Sequence, residues 1–94
     1  MLFTSEQVSN GHPDKICDQI SDAIVTDCLL NDRNSRVAVE CMIKDYDVTI
    51  AGEITSGHTP DFKDLTYCVL AGIGLPNIEQ YTVNRLISKQ SPDI

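Results

Sequence analysis

Basic residues are scarce in this sequence. Seven Lys and Arg stand against fourteen Asp and Glu, for a formal net charge of −7. That argues against a sequence-independent nucleic-acid binder, which needs Lys and Arg to replace counterions. It leaves room for a phosphate ligand, because positive charge can be local or come from a bound metal. The four cysteines, at positions 17, 28, 41 and 68, form no CxxC pair and no zinc spacing. They fall inside the helix and strand patterns, so buried free thiols in a reducing compartment are expected. There is no charged-then-apolar leader, no apolar run near ~18 residues, and no repeat or low-complexity stretch. The expected location is the cytoplasm, with no membrane contact. The 94 residues suffice for one small domain. A chain this short buries only ~60–65% of its unfolded surface, so its independent stability should be marginal.

The patterns that are present give the order loop, helix, strand, strand, helix, short strand, tail. The first helix should start at Pro13, which suits a first turn that needs no donor, and stop near Asn31-Asp32. Ile16, Ile20, Ala23 and Ile24 recur at helical spacing, with Cys17 and Cys28 on the flank; Asp14, Asp18 and Asp22 share another face. Arg36 to Lys44 and Asp47 to Thr55 alternate as strands, joined by a tight turn at Asp45-Tyr46. That loop pairs residue 44 with 47, 43 with 48 and 40 with 51, which brings the two aliphatic faces together. The same register puts Glu40 and Glu53 on one shared face, as diagonal neighbours roughly 7–8 Å apart.

The second helix should begin at Thr59-Pro60-Asp61, with Phe62, Leu65, Val69 and Ile73 as its apolar stripe and Gly72, Gly74 and Pro76 at its end. A short strand around Thr82 to Ile87 follows. The fold class is α+β: an antiparallel sheet, a hairpin plus at least one further strand, packed on one face by two helices. Val37, Val39, Ile43, Ile50 and Ile54 should face the helices, and Glu40 and Glu53 the other side.

Two groups of residues could carry chemistry. Gly11-His12-Pro13-Asp14-Lys15 lies at a helix N-terminus, where unpaired amides and the macrodipole favour an anion. Lys15 is disfavoured there by ~0.3–1 kcal/mol unless a polyanion is bound. Asp14 suits a divalent metal bridging to phosphate. An ordinary helix start with a solvated charge pair reads the same residues equally well. Glu40 and Glu53 are either the wet face of a half-covered sheet or a paired acidic site, given room by Ala38, Ala51 and Met42. His58 sits in a Gly-containing turn and is expected to have no role.

Five blocks stand in one family order: Phe3-Thr4-Ser5-Glu6, Gly11-His12-Pro13-Asp14-Lys15, Asp18-Gln19-Ile20-Ser21-Asp22-Ala23, Gly52-Glu53-Ile54-Thr55 and Lys89-Gln90-Ser91-Pro92-Asp93-Ile94. In these the chain resembles, over essentially its whole length, the N-terminal region of the S-adenosylmethionine synthetases (methionine adenosyltransferases). The resemblance implies the reaction. The methionine sulfur attacks ribose C5′ of ATP and displaces triphosphate, which is hydrolysed to pyrophosphate and phosphate with magnesium and potassium assisting.

The resemblance also implies roles. His12 sits at the triphosphate near the bond that breaks, and Lys15 contacts phosphate; both count as catalytic and ATP-binding. Glu6 lies near the nucleotide. Asp14 matches a magnesium ligand and Glu40 a potassium site. Glu53 and Gln90 match methionine-binding residues. Asn10 stands where many family members carry an acid.

The family implies three similarly folded α+β domains, and a dimer or tetramer with active sites between subunits. Residues 1–94 would then be the N-terminal domain of a longer enzyme, holding one edge of the site and inactive alone. A non-catalytic binding or regulatory module that associates with a full-length synthetase is the alternative, and a nonfunctional truncated product a third reading.

Overall fold

The structure, a computed structural model, describes residues 13–89, and for Pro13 the backbone only. Helix α1 spans Pro13–Asn31, strand β1 Arg36–Lys44 and strand β2 Asp47–Thr55. Helix α2 spans Phe62–Ile73, and a 3₁₀ turn at Ile78–Gln80 leads into strand β3, Thr82–Ser88. These bounds follow the sequence pattern closely, and the two-helix, three-strand α+β architecture is the expected one.

Residues Ile16, Ile20, Ile24 and Cys28 of α1, each four apart, are all buried. Cys28 therefore continues the core stripe rather than lying on its flank, because the four-residue spacing from Ile24 carries it there. Asp14, Asp18 and Asp22 are exposed. At the helix end the Cys28 carbonyl accepts from the Asp32 amide at 2.7 Å and from the Ser35 hydroxyl at 3.1 Å, which satisfies an orphan acceptor.

The hairpin register is as expected: Lys44↔Asp47, Ile43↔Val48 and Glu40↔Ala51. Asp45 takes φ 55 in the turn, a left-handed conformation that Asp tolerates. Gly52 has φ 144, and a Cβ there would strike the Ala38 carbonyl and come 2.8 Å from Val39 Cα. Only glycine lets β1 and β2 approach at that point.

The sheet order is β1-β2-β3. Here one expectation is corrected: β3 pairs with β2 in parallel, from Asp47↔Thr82 to Glu53↔Ser88, so the sheet is mixed rather than antiparallel. The cause is the connection. Helix α2 lies between β2 and β3 and carries the chain back to the end where β2 began, which makes the next strand run the same way. Tyr81, edge-on to Tyr46 at 4.9 Å and accepting from the Tyr67 hydroxyl at 2.9 Å, holds the start of β3.

The start of α2 also differs. Asp61, not Thr59, is its N-cap; its carboxylate accepts from the Asp64 amide at 3.0 Å. Pro60 is buried but lies outside the helix. The buried stripe is Phe62, Thr66 and Leu70, with Leu65, Val69 and Ile73 half-buried beside it. Gly74 closes the helix at φ 96, its amide on Ala71 and the Leu75 amide on Leu70, a Schellman arrangement. All four cysteines are free, as expected, but only Cys28 is buried; Cys68 is exposed. Among the described residues no helix is long and apolar enough to cross a membrane.

Candidate functional site

Strand alternation sorts the sheet into two faces. Val48 and Ile50, with Val37, Val39, Cys41, Ile43, Ile54, Val83 and Ile87 around them, point toward the helices. Ala38, Glu40 and Met42 of β1, Thr49, Ala51 and Glu53 of β2, and Asn84, Leu86 and Ser88 of β3 point the other way. Neither helix covers that second face. Glu40 and Glu53 are both exposed on it, and Glu53 stands opposite Ala38, one diagonal step from Glu40. The two carboxylates therefore share an open surface floored by alanines, with Met42 and Leu86 as apolar neighbours.

Asp14 and Lys15 are exposed in the first turn of α1, in the helix layer. The start of α1 lies over the hairpin end of β1: the Cys17 thiol contacts the Cys41 thiol and the Ile43 backbone. Within the described residues, then, the glutamate pair is brought together, whereas Asp14 and Lys15 sit on the opposite side of the sheet from it. His12, Glu6 and Gln90 lie outside the described residues.

Burial pushes the Cys17 and Cys41 thiols up in pKa, as it does that of Cys28. These thiols are protonated at neutral pH and are poor nucleophiles. Among the described residues no group of three or more His, Cys, Asp or Glu side chains is placed to hold a metal ion. Asp14 and Glu40 each offer one accessible carboxylate. Such oxygen donors suit hard cations that take most of their ligands from water, phosphate or other protein groups.

Sequence reasoning missed one polar network. His58 Nε2 lies 2.7 Å from an Asp27 carboxylate oxygen, and the Ser35 and Ser56 hydroxyls meet at 2.7 Å. Asp32 accepts from the Gly57 amide at 2.7 Å and the Asn34 amide at 3.0 Å, which holds its carboxyl below the usual range. Together these bonds tie the loop after β2 to the end of α1. His58, expected to carry no chemical role, is part of that structural tie. Asp27 and His58 are 31 residues apart, so no local pattern reveals them. A second missed residue, Arg85, had a signal: it breaks the apolar alternation of Val83 and Ile87 on the helix side of β3.

A family model described as "S-adenosylmethionine synthetase, N-terminal domain" matches residues 1–92. The chain belongs to this family. An S-adenosylmethionine synthase from Crocosphaera subtropica is 44% identical, and the match covers 99% of this chain and 24% of that protein. Among solved structures, an S-adenosylmethionine synthetase from Campylobacter jejuni, described as unusual, superposes with a TM-score of 0.83 at 35% identity. That match covers 88% of this chain and 25% of the other. The chain thus spans about a quarter of the length of these relatives.

Proposed function

We propose that this domain supplies one edge of the ATP, metal and methionine site of a methionine adenosyltransferase, and that it works as part of a longer three-domain synthetase of the cytoplasm. The observation that carries the proposal is the pair of exposed carboxylates, Glu40 and Glu53, on an uncovered sheet face in a chain of this family. An open face with acids and exposed apolar side chains is suited to a second protein surface with a small polar ligand between. A homodimer or tetramer of the full-length enzyme would provide that surface. It would also account for Asp14 and Lys15 standing apart from the glutamates, since a site between subunits can draw on several elements.

In the reaction, the methionine sulfur donates its electron pair to ribose C5′. The C5′–O bond breaks and triphosphate leaves, later to be hydrolysed to pyrophosphate and phosphate. Triphosphate departs readily only if its growing negative charge is met by preorganised cations and donors. His12 would donate to the leaving oxygen, and Lys15 would offset charge on the phosphates, with Glu6 close to the nucleotide. Glu53 would pair with the methionine ammonium and Gln90 would hold the rest of the amino acid, so that sulfur and C5′ stay in line. Asp14 would hold magnesium and Glu40 potassium, ions that supply charge neutralisation when bound.

The test is made in a full-length synthetase carrying this domain. His12→Asn should lower kcat by about 100-fold or more, the scale of losing a donor to developing charge, with a much smaller change in ATP affinity. Equal turnover in that variant would remove His12 from the catalytic groups. The isolated chain should form no S-adenosylmethionine, and turnover by it alone would contradict the proposal.

A further inference from the structure

On the helix side of the sheet, away from the glutamates, a cavity of about 290 Å³ opens between the ends of β2 and β3 and the loop entering α2. A neighbouring recess of about 450 Å³ shares Thr59, Pro60, Phe62 and Arg85 with it and adds Lys63. The smaller cavity is near the lower size limit for small-molecule sites, which start at roughly 300 Å³. Its walls are of two kinds. Ile54, Ile87, Pro60 and Phe62 are apolar, whereas Ser56, His58, Thr59 and Arg85 bring polar groups.

Arg85 is the decisive residue. Its guanidinium carbon lies 5.5 Å from the Phe62 ring centroid, a cation–π contact that orients the side chain. Among the described residues no carboxylate pairs with it. The other groups nearby are engaged. His58 holds Asp27, the Ser56 hydroxyl bonds Ser35 and the His58 amide, and Lys63 lies over the Tyr67 ring. The one acid on the rim of the recess, Asp61, is occupied in capping α2. In a chain of net charge −7, Arg85 and Lys63 offset Asp61 and the Asp27 held by His58, so the acid excess of the chain does not extend to this cleft.

We propose that this cleft binds a small anion, a carboxylate or phosphate group on a compact apolar body, with Arg85 holding the anionic oxygens. The planar guanidinium fork matches two oxygens of either head group. The Ile54, Ile87 and Phe62 surfaces take the apolar part, and Thr59 offers a further hydroxyl. The cleft lies on the opposite side of the sheet from Glu40 and Glu53, so it is a separate site from the substrate face and stands or falls independently of it.

The test titrates the 94-residue chain with sodium butyrate, sodium phosphate and sodium chloride at equal ionic strength. Binding is followed by amide NMR shifts and by the thermal midpoint, which a ligand of the folded state raises. Shifts confined to residues 56–62 and 83–87, with butyrate or phosphate but not chloride, are expected. The more effective salt identifies the head group. Arg85→Met should weaken binding by about tenfold or more, the scale of one charge-assisted bond. Arg85→Lys, which keeps the charge and the fold but loses the fork, should weaken it by a smaller factor. Lys44→Met, an equal charge change at the hairpin end, should leave it unaltered. An equal response to chloride, no localised shifts at ~100 mM of either anion, or unchanged affinity in both Arg85 variants would overturn the proposal.

Discussion

On the helix side of the sheet Val48 and Ile50 are fully buried, whereas on the other side Met42 is 65% and Leu86 67% exposed. Val48 and Ile50 come from the central strand β2, and Met42 and Leu86 from the flanking strands β1 and β3, but every strand sends alternate residues to either face. What separates them is the helix layer. Helices α1 and α2 lay Ile20, Ile24, Thr66 and Leu70 onto one face and leave the other bare. The covered face holds the fold together by removing apolar surface from water. The bare face contributes little to that and is free to carry carboxylates, which would be costly if enclosed without partners. The covered side thus carries the core, and the bare side is where Glu53, the carboxylate proposed to meet methionine, stands.

This contrast can be broken most directly by truncating one residue from each side. Ile24→Ala should lower the free energy of unfolding by about 2–5 kcal/mol, enough to unfold much of a marginal domain. Met42→Ala should change it by less than ~0.5 kcal/mol. Urea denaturation followed by circular dichroism measures both. Comparable losses would mean that the second face is covered in solution by something that stabilises the chain.

A smaller effect sharpens the covered side. Thr66 is fully buried, and among the described residues its hydroxyl has no hydrogen-bond partner. Thr66→Val keeps the shape and removes an unsatisfied polar atom, so stability should rise by about 1 kcal/mol. A loss in the same urea experiment would show that the hydroxyl finds a partner in solution.

The smallest effect concerns the tie between the end of α1 and the loop after β2, where Asp32 accepts from the Gly57 and Asn34 amides. Those bonds lower its pKa in the folded chain. Its contribution is therefore present above the ordinary carboxylate pKa and lost as pH falls through the depressed folded value. Asp32→Asn should lower the thermal midpoint slightly at neutral pH and flatten its fall on the acid side. An acid limb identical to that of the parent chain would contradict the assignment.

Much of this arrangement was legible in the sequence, because its causes are local. Alternation in residues 36–44 and 47–55, with a turn chemistry that fixes the loop length, determines the register and hence the shared face of Glu40 and Glu53. The four-residue recurrence of isoleucines marks α1. What escaped was set by tertiary contact. The direction of β3 depends on how α2 returns the chain, and nothing within residues 82–88 encodes it. The choice of Asp61 over Thr59 as N-cap depends on which carboxyl or hydroxyl reaches the Asp64 amide. The bond between Asp27 and His58 joins segments 31 residues apart. Arg85 was visible as a charge among inward-facing Val83 and Ile87, but its place over Phe62 was not.

Under the proposed function, the uncovered sheet face receives the amino-acid substrate through Glu53. The most direct measurement is the steady-state kinetics of Glu53→Gln in a full-length synthetase carrying this domain. A carboxylate–ammonium pair lost in this way should raise the methionine KM by about tenfold or more, with a much smaller change in the KM for ATP. A methionine KM equal to that of the parent enzyme would contradict it.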